Sequence, residues 1–486
     1  MVFPFLGLMV ALLMVLHRVP QNYPPVANPI EPPSLHSSLG GGLDGFSSPY
    51  LGHTGSWDGK GGGMGGRPKN SDLDTEARMG LHWTFMPVYW NALEPKGPVD
   101  LANGIPQAWQ ALDAFIIAAH LRKLNVLIQG PVMGGNAGGP PNWAGRREKG
   151  KSAPANMDAA AAFAGKLAVR YAPGGTLATK EGWQQNFGVR AWELDNEPDG
   201  YLTHWKEQAA DYAEFVSKAA AAIRRVDSHA VILGPAVMGS GKAPAWVEGA
   251  LDAQALRGSP EFRKRGEPYS IGPALDVVSF HVYEGLDSAF TGKDRTIEVA
   301  FCELRDVFER WQTRVPGFTY ERKQEYWQTE GNFDFLGILS RERRAAWRLQ
   351  FFTRAFAAGI RKVLVMDASK PEQSAVRTYI KALPDPFPME RAADKVRALS
   401  GVPVSFCHVD GTNSDAGRVW ILWAAAGTGD AEAVVPCVRE RIQKLLGDGS
   451  ETLLIKTNGL LRVHLAGDKK MAAPVLLIDR PGPLSP

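Results

Sequence analysis

Val189-Arg190-Ala191-Trp192-Glu193-Leu194-Asp195-Asn196-Glu197-Pro198-Asp199-Gly200 holds the clearest structural signal in the chain. An apolar run of strand character stops at Asp195, Asn196 and Glu197, and Pro198 has no N–H with which to continue a sheet interior. A strand therefore ends in a carboxylate. Parallel α/β proteins place reacting groups at the carboxyl ends of strands, which makes Glu197 the first candidate for chemistry. A second run, Glu325-Tyr326-Trp327-Gln328-Thr329-Glu330-Gly331-Asn332, ends in the same way, with Gly331 stopping it just after Glu330.

Outward from these two runs the chain alternates. Upstream lie a strand at 82–90 ending near Glu94-Pro95, a helix at 107–123, a strand at 126–129, a Gly/Pro-rich loop through Trp143 and an Ala-rich helix at 157–171. Downstream come a helix at 205–226, a strand at 230–233, a short helix at 245–256 and a strand at 277–282 followed by Tyr283-Glu284. A helix at 296–313, the Glu330 strand, a helix at 341–358 and a strand at 363–366 ending at Asp367 complete the series. A first strand is expected near 43–48, and Ser71-Asp72-Leu73-Asp74 can cap a short helix through Met79. Eight strands separated by helices predict an α/β fold, a parallel (β/α)8 TIM barrel over 40–400, with Glu197 on the fourth strand and Glu330 on the seventh.

Beyond residue 401 the period shortens. Runs at 419–423, 453–455, 460–465 and 475–478, separated by Gly, Asp and Asn turns, predict a C-terminal β-sandwich over 401–486, to which the N-terminal segment could add a strand. Residues 438–446 allow a helical turn or two. At the other end, residues 2–16 form an apolar run too short to span a bilayer comfortably, which suits a secretory signal peptide or anchor over 1–19. Export is expected, with no other membrane insertion. A Pro-rich linker follows over 20–39.

The 486 residues, 44% apolar and 22% charged, are ordinary for a globular protein and exclude disorder as the main state. A net charge of +3, with Lys and Arg spread along the chain, gives no footprint for nucleic acid. The three cysteines, Cys302, Cys407 and Cys437, lack the close spacing of zinc sites, and Cys407 with Cys437 is the one disulfide pairing worth considering. The ten histidines include neither His-x-His nor His-Glu-x-x-His, so no metal is expected. No cofactor is implied, and the oligomeric state is left open.

Two facing carboxylates are the minimum equipment for hydrolysing a glycosidic bond; about 5 to 5.5 Å apart, one acts as nucleophile and the other first as acid, then as base. The acid must hold its proton when substrate arrives, and the neighbouring anion supplies that push.

The residues carry a resemblance. Trp192 to Asp199 followed by His204-Trp205, then Tyr212, Val226-Asp227 and Gly234-Pro235-Ala236, together with Asp276 to Tyr283 and Thr329-Glu330, resemble the clan A retaining glycoside hydrolases. Within that clan the chain looks most like glycoside hydrolase family 39, over residues 79–367. The resemblance implies Glu197 as acid/base, Glu330 as nucleophile, and Asn196 as hydrogen-bond partner of the sugar hydroxyl beside the anomeric carbon. It also implies that His281 and Tyr283 orient the carboxylates. Asp195 and Gly331 depart from the family pattern, each standing where Trp is common, and Asp367 ends the eighth strand without an aromatic platform.

Trp90, Trp143 and Trp327 offer faces on which sugar rings stack, and Trp is equally a core filler. Asp195 either contacts substrate or caps the following turn. Glu193, on the face of Glu197 but deeper, is expected to pair with an Arg or Lys. The expected activity is retaining hydrolysis of a poly- or oligosaccharide; a catalytically silent carbohydrate-binding protein and a transglycosylase are the other readings.

Overall fold

The computed structural model describes residues 48–53 and 70–479, apart from 134–138, 148–152, 184–186, 201–204, 206–208, 239–241, 252–268, 285–295, 315–323, 332–339, 366–368, 384, 410–416, 440 and 470. Asp367 and the N-terminal segment 1–39 lie outside the described residues.

Eight parallel strands close into a barrel in chain order: β1 (Ser48–His53), β2 (Leu81–Tyr89), β3 (Asn125–Val132), β4 (Ala191–Glu193), β5 (Val231–Val237), β6 (Val277–Val282), β7 (Glu325–Gly331) and β8 (Lys362–Val365). Closure is completed by β1 pairing with both β2 and β8. The first strand starts where its expected range ends. A helix stands between every two consecutive strands; those at Met157–Tyr171 and Arg341–Ala358 match their expected bounds. Polar residues set these starts: Asn156 accepts the Ala159 N–H and Ser340 the Arg343 N–H. A helix at Lys370–Ala382, which the sequence reading did not include, follows β8 and opens with a capping box between Ser369 and Glu372.

Side-chain alternation divides the barrel strands into two populations. Trp83 and Phe85 of β2, Leu127 of β3, Ala191 of β4, Val231 and Leu233 of β5, Val277 of β6, Trp327 of β7 and Leu364 of β8 form one buried cluster, the barrel's own filling. Their neighbours in sequence, such as Ile128, Trp192, Ile232 and Val278, belong to a second, larger core that includes the surrounding helices. Within the filling, the Lys362 ammonium lies 5.0 Å from the ring centroids of both Trp83 and Trp327.

The C-terminal strands form two antiparallel sheets. One has six strands in the order β15-β14-β17-β12-β11-β9, the other three in the order β10-β13-β16. Their ranges are β9 Met389–Arg391, β10 Arg397–Ser400, β11 Pro403–Val409, β12 Arg418–Ala424, β13 Ala431–Val435, β14 Arg441–Leu446, β15 Glu451–Ile455, β16 Leu461–Leu465 and β17 Val475–Asp479. Strand β11 touches β13 and β12 touches β16, so the two sheets meet. The antiparallel strands begin at Met389, ahead of residue 401, and among the described residues none comes from the N-terminal segment. Residues 441–446 are strand rather than helix: Lys444 pairs with Leu477 on one side and Thr452 on the other. Cys407 and Cys437 are both buried and free, so the considered disulfide is absent. No helix of the described residues is long and apolar enough to cross a membrane.

Candidate functional site

Two residues above the apolar filling, the same inward positions turn polar. Leu127 is followed by Gln129, Ala191 by Glu193, Val277 by Ser279 and Trp327 by Thr329, and all four polar residues are buried. Glu193 binds this layer together, accepting from Gln129 Nε2 at 2.9 Å and Thr329 Oγ1 at 2.7 Å. The expected Arg or Lys partner for Glu193 is replaced by neutral donors. Burial raises the Glu193 carboxyl above the usual range, against the pull of His281 and of its hydroxyl and amide donors. Gln129 Nε2 also reaches Asn196 Oδ1 at 2.9 Å, which turns the amide nitrogen of Asn196 into the end that remains to donate.

The chain leaves β4 through a strained turn. Asp195 and Glu197 have φ of 67° and 45°, left-handed values that non-glycine residues adopt at a cost and that gather at functional sites. Asp195 holds this turn. Fully buried, it accepts from the N–H groups of Met133 and Asn196 at 3.0 and 2.8 Å and from the indole of Trp205, so it anchors backbone and has no face for substrate. The Glu197 N–H then donates to Ala236 O at 3.1 Å, fixing the turn to the end of β5.

On the far side, a register shift between Phe280 and His281 pairs Phe280 with Gln328 but His281 with Glu330. Thr329 is the extra residue. A bulge of this kind re-aims a side chain; here Thr329 points down to Glu193 while Glu330 stands beside His281. Gly331 follows because nothing larger fits, a Cβ there lying 2.3 Å from Gln328 Nε2 and 2.6 Å from Val282 O.

The structure thus brings Glu197, His281, Glu330 and Tyr283 together. One carboxylate oxygen each from Glu197 and Glu330 and a ring nitrogen of His281 lie within 4.8 Å of one another. His281 Nδ1 is 2.9 Å from Glu197 Oε1 and 3.8 Å from Glu330 Oε2, and the Tyr283 hydroxyl donates to Glu330 Oε1. Both carboxylates are reachable, with side chains 17% and 19% exposed, whereas His281 is fully buried. Burial alone lowers an imidazole, but Glu330, Glu197 and Glu193 overcome it and lift His281 to about 9. Burial and the charge of Glu197 hold the Glu330 carboxyl above the usual range, with His281 and Tyr283 pulling the other way. The raised carboxyl expected from the sequence was that of the acid/base residue; the one found raised here is Glu330. Close carboxylates resist joint ionisation, so the proton belongs to the pair. A divalent cation could use the same three ligand atoms, but Nδ1 of His281 and the carboxylates already serve one another.

Two of the expected sugar platforms are absent. Trp90 and Trp327 are both fully buried. Trp90 packs on Phe163 and Trp143 and donates to Glu94 Oε2 at 3.0 Å; Trp327 lies in the barrel filling against Trp83. Trp143 is half-buried, its indole donating to Glu94 O at 2.6 Å. The residue that faces the site from β2 is Tyr89, one position before Trp90: it is half-buried, and burial together with the charges of Glu330 and Asp195 raises its phenol. The inward series Trp83, Phe85 could have found it. Asp199 was also missed: burial lifts its carboxyl to about 6, against the Met238 N–H it accepts at 2.9 Å and with the charge of Glu197 adding.

The model of glycoside hydrolase family 44 matches residues 151–262, a stretch that includes Glu197 but not Glu330. No curated protein matches the sequence. Among solved structures, AbfB, a family 51 α-L-arabinofuranosidase from Bifidobacterium longum, is 11% identical with a TM-score of 0.55, over 91% of this chain and 97% of that one. CelM2, a bifunctional glucanase-xylanase from a metagenome library, is 15% identical with a TM-score of 0.53, over 92% and 98%. The glycoside hydrolase family 39 enzyme of Xanthomonas axonopodis pv. citri is 12% identical with a TM-score of 0.50, over 91% and 96%. At these identities the shared property is the fold. The family whose model matches is 44 rather than 39, and the matched stretch with these neighbours supports a glycosidase.

Proposed function

We propose that this chain is a retaining glycoside hydrolase that cleaves O-glycosidic bonds of a poly- or oligosaccharide by double displacement. The observation that carries the reading is the pair of solvent-reachable carboxylates, Glu197 and Glu330, with oxygens within 4.8 Å across His281. That separation suits attack by one carboxylate and leaves too little room for the water that an inverting enzyme holds between acid and base. The polysaccharide-degrading enzymes among the fold neighbours agree with the substrate class, and export through the N-terminal run would bring the enzyme to it.

In the first step an oxygen of Glu330 attacks the anomeric carbon while Glu197 gives its proton to the departing glycosidic oxygen. In the second, Glu197 takes a proton from water, the hydroxide attacks the same carbon, and the bond to Glu330 breaks. The Tyr283 hydroxyl and the charge of His281 favour the anionic form of Glu330, the form in which it attacks. Asn196, aimed by Gln129, donates to the hydroxyl beside the reacting carbon. Trp143 remains as the half-buried aromatic wall.

The test is a screen of purified protein against a polysaccharide panel, with the anomeric configuration of the first-formed product read by NMR. Retained configuration is expected; an inverted product removes the covalent role of Glu330, and no cleavage across the panel removes the activity. Tyr283→Phe gives a further check. Loss of its hydrogen bond raises the Glu330 carboxyl further, and the nucleophile must be ionised, so activity is lost at a higher pH as the solution is acidified. The acid limb of kcat/KM is expected to move to higher pH with the alkaline limb little changed; an unmoved acid limb shows that Tyr283 does not tune Glu330.

A further inference from the structure

We infer that the open edge of the six-stranded sheet is a self-association surface: β15 pairs antiparallel with β15 of a second copy of this chain, about a twofold axis at Leu453. Strand β15 is the last in its sheet and pairs only with β14. The Leu446 N–H donates to Ser450 O at 3.0 Å, which makes these two a hydrogen-bonded pair, and such pairs alternate along an antiparallel ladder. In the observed register Thr452 and Leu454 therefore bond to Lys444 and Ile442. The N–H and C=O groups of Glu451, Leu453 and Ile455 then point away from β14, to the edge.

An edge is ordinarily guarded by charge, proline or a covering element. Here the two nearest charges are drawn back into the molecule. Glu451 is held by Lys381 of the helix Lys370–Ala382 and by Gln443 Nε2 at 2.7 Å, and Lys456 donates to Val438 O at 3.0 Å. Leu453 and Ile455 are left 46% and 63% exposed on the face they share with Glu451. A second copy fits because the pattern reads the same in both directions. A twofold at Leu453 sets that residue opposite its own counterpart and Glu451 opposite Ile455 of the second copy. Six N–H···O=C bonds form, two per pair, so every outward group of the three residues is used, and no like charges face each other. Leu453 and Ile455 of both copies then meet as direct and diagonal neighbours. Other centres fit worse: one at Glu451 opposes two carboxylates, and one at Ile455 sets Leu453 against Thr457, whose N–H is already given to Leu460 O at 2.9 Å. Five residues a side make a small interface, so the dimer is expected to depend on concentration.

Sedimentation velocity of the full chain from about 5 to 500 µM, with amide hydrogen exchange followed by mass spectrometry at both ends of that range, tests this. A shift from monomer toward dimer is expected as concentration rises, with exchange at 451–455 slowed at least about threefold. Leu453→Lys places two ammonium groups across the axis and is expected to weaken the dimer at least about tenfold. Leu453→Pro removes an N–H that the β14 ladder does not use; it should weaken the dimer too and leave the thermal midpoint near that of the wild type. Should either variant fold poorly, exchange in the wild type decides. The inference is overturned if the chain stays monomeric throughout, which leaves the edge to an extended segment of another protein. It is equally overturned if a dimer forms with exchange at 451–455 unchanged, or if folded Leu453→Lys dimerises as the wild type does.

Discussion

Glu330→Gln is expected to lower kcat on any cleaved polysaccharide by at least about 10⁴-fold, the scale of loss when a nucleophile is removed from a site that acts as a unit. The amide keeps the shape of the side chain and cannot form the covalent intermediate. Stability should not fall with activity. Glu330 is a carboxyl crowded by Glu197 and raised by burial, so removing its charge relieves a repulsion, and the thermal midpoint is expected to stay level or rise. A spectroscopic sign accompanies the kinetic one. His281 is lifted to about 9 by three carboxylates against its burial, the charge of Glu330 being the largest single upward cause, so an NMR titration of the imidazole should show a clear downward move in the variant. A fluorinated glycoside that traps the intermediate should label wild-type protein at residue 330 and leave the variant unlabelled. Hydrolysis at the wild-type rate in Glu330→Gln would exclude this residue as the nucleophile.

Strand ends were legible in the sequence because they depend on local chemistry. Gly331 ends β7 next to Glu330, and periodicity placed Val277–Val282 and Arg341–Ala358 to the residue, whereas β4 ends at Glu193, five residues before the Pro198 expected to stop it. The facing of side chains within strands was less legible. Trp90 and Tyr89 are neighbours, and only the inward parity of β2, set by the closed barrel, decides that Tyr89 meets the site while Trp90 enters the helix layer. Trp327 shares parity with Thr329 but lies one layer deeper, where a sugar cannot reach. Neither depth nor the bulge that separates Thr329 from Glu330 leaves a mark in composition. Glu193 invited an ion pair on charge alone, and the fold answered with an amide and a hydroxyl, contacts that join residues far apart in the chain.

The polar layer gives these facts one physical meaning. Glu193 touches Gln129, which aims Asn196, and Thr329, which precedes Glu330, so one buried carboxyl connects both halves of the candidate site. With the backbone strain at Asp195 and Glu197 held by the Asp195 contacts, the two carboxylates are positioned by groups that do not themselves react.

Glu197→Gln is expected to separate the two steps of the reaction rather than stop both. A natural glycosidic oxygen leaves poorly unless protonated, and loss of general acid catalysis should cost about 10² to 10⁴-fold on polysaccharide. An aryl glycoside with an acidic phenol needs no proton to depart, so Glu330 should still be glycosylated at a rate near wild type. Hydrolysis of the intermediate then stalls, since water has no base to activate it, and a burst of one phenol per enzyme should precede a slow steady state. Azide is a nucleophile that needs no base; adding it should restore turnover and yield a glycosyl azide of retained configuration. The pattern is specific to the acid/base role, because a residue that merely supported the fold would slow activated and natural substrates alike and gain nothing from azide. Uniform loss across leaving groups, without a burst and without rescue, would move the acid/base role away from Glu197 and leave Asp199, the nearby carboxyl lifted to about 6, as the residue to test next.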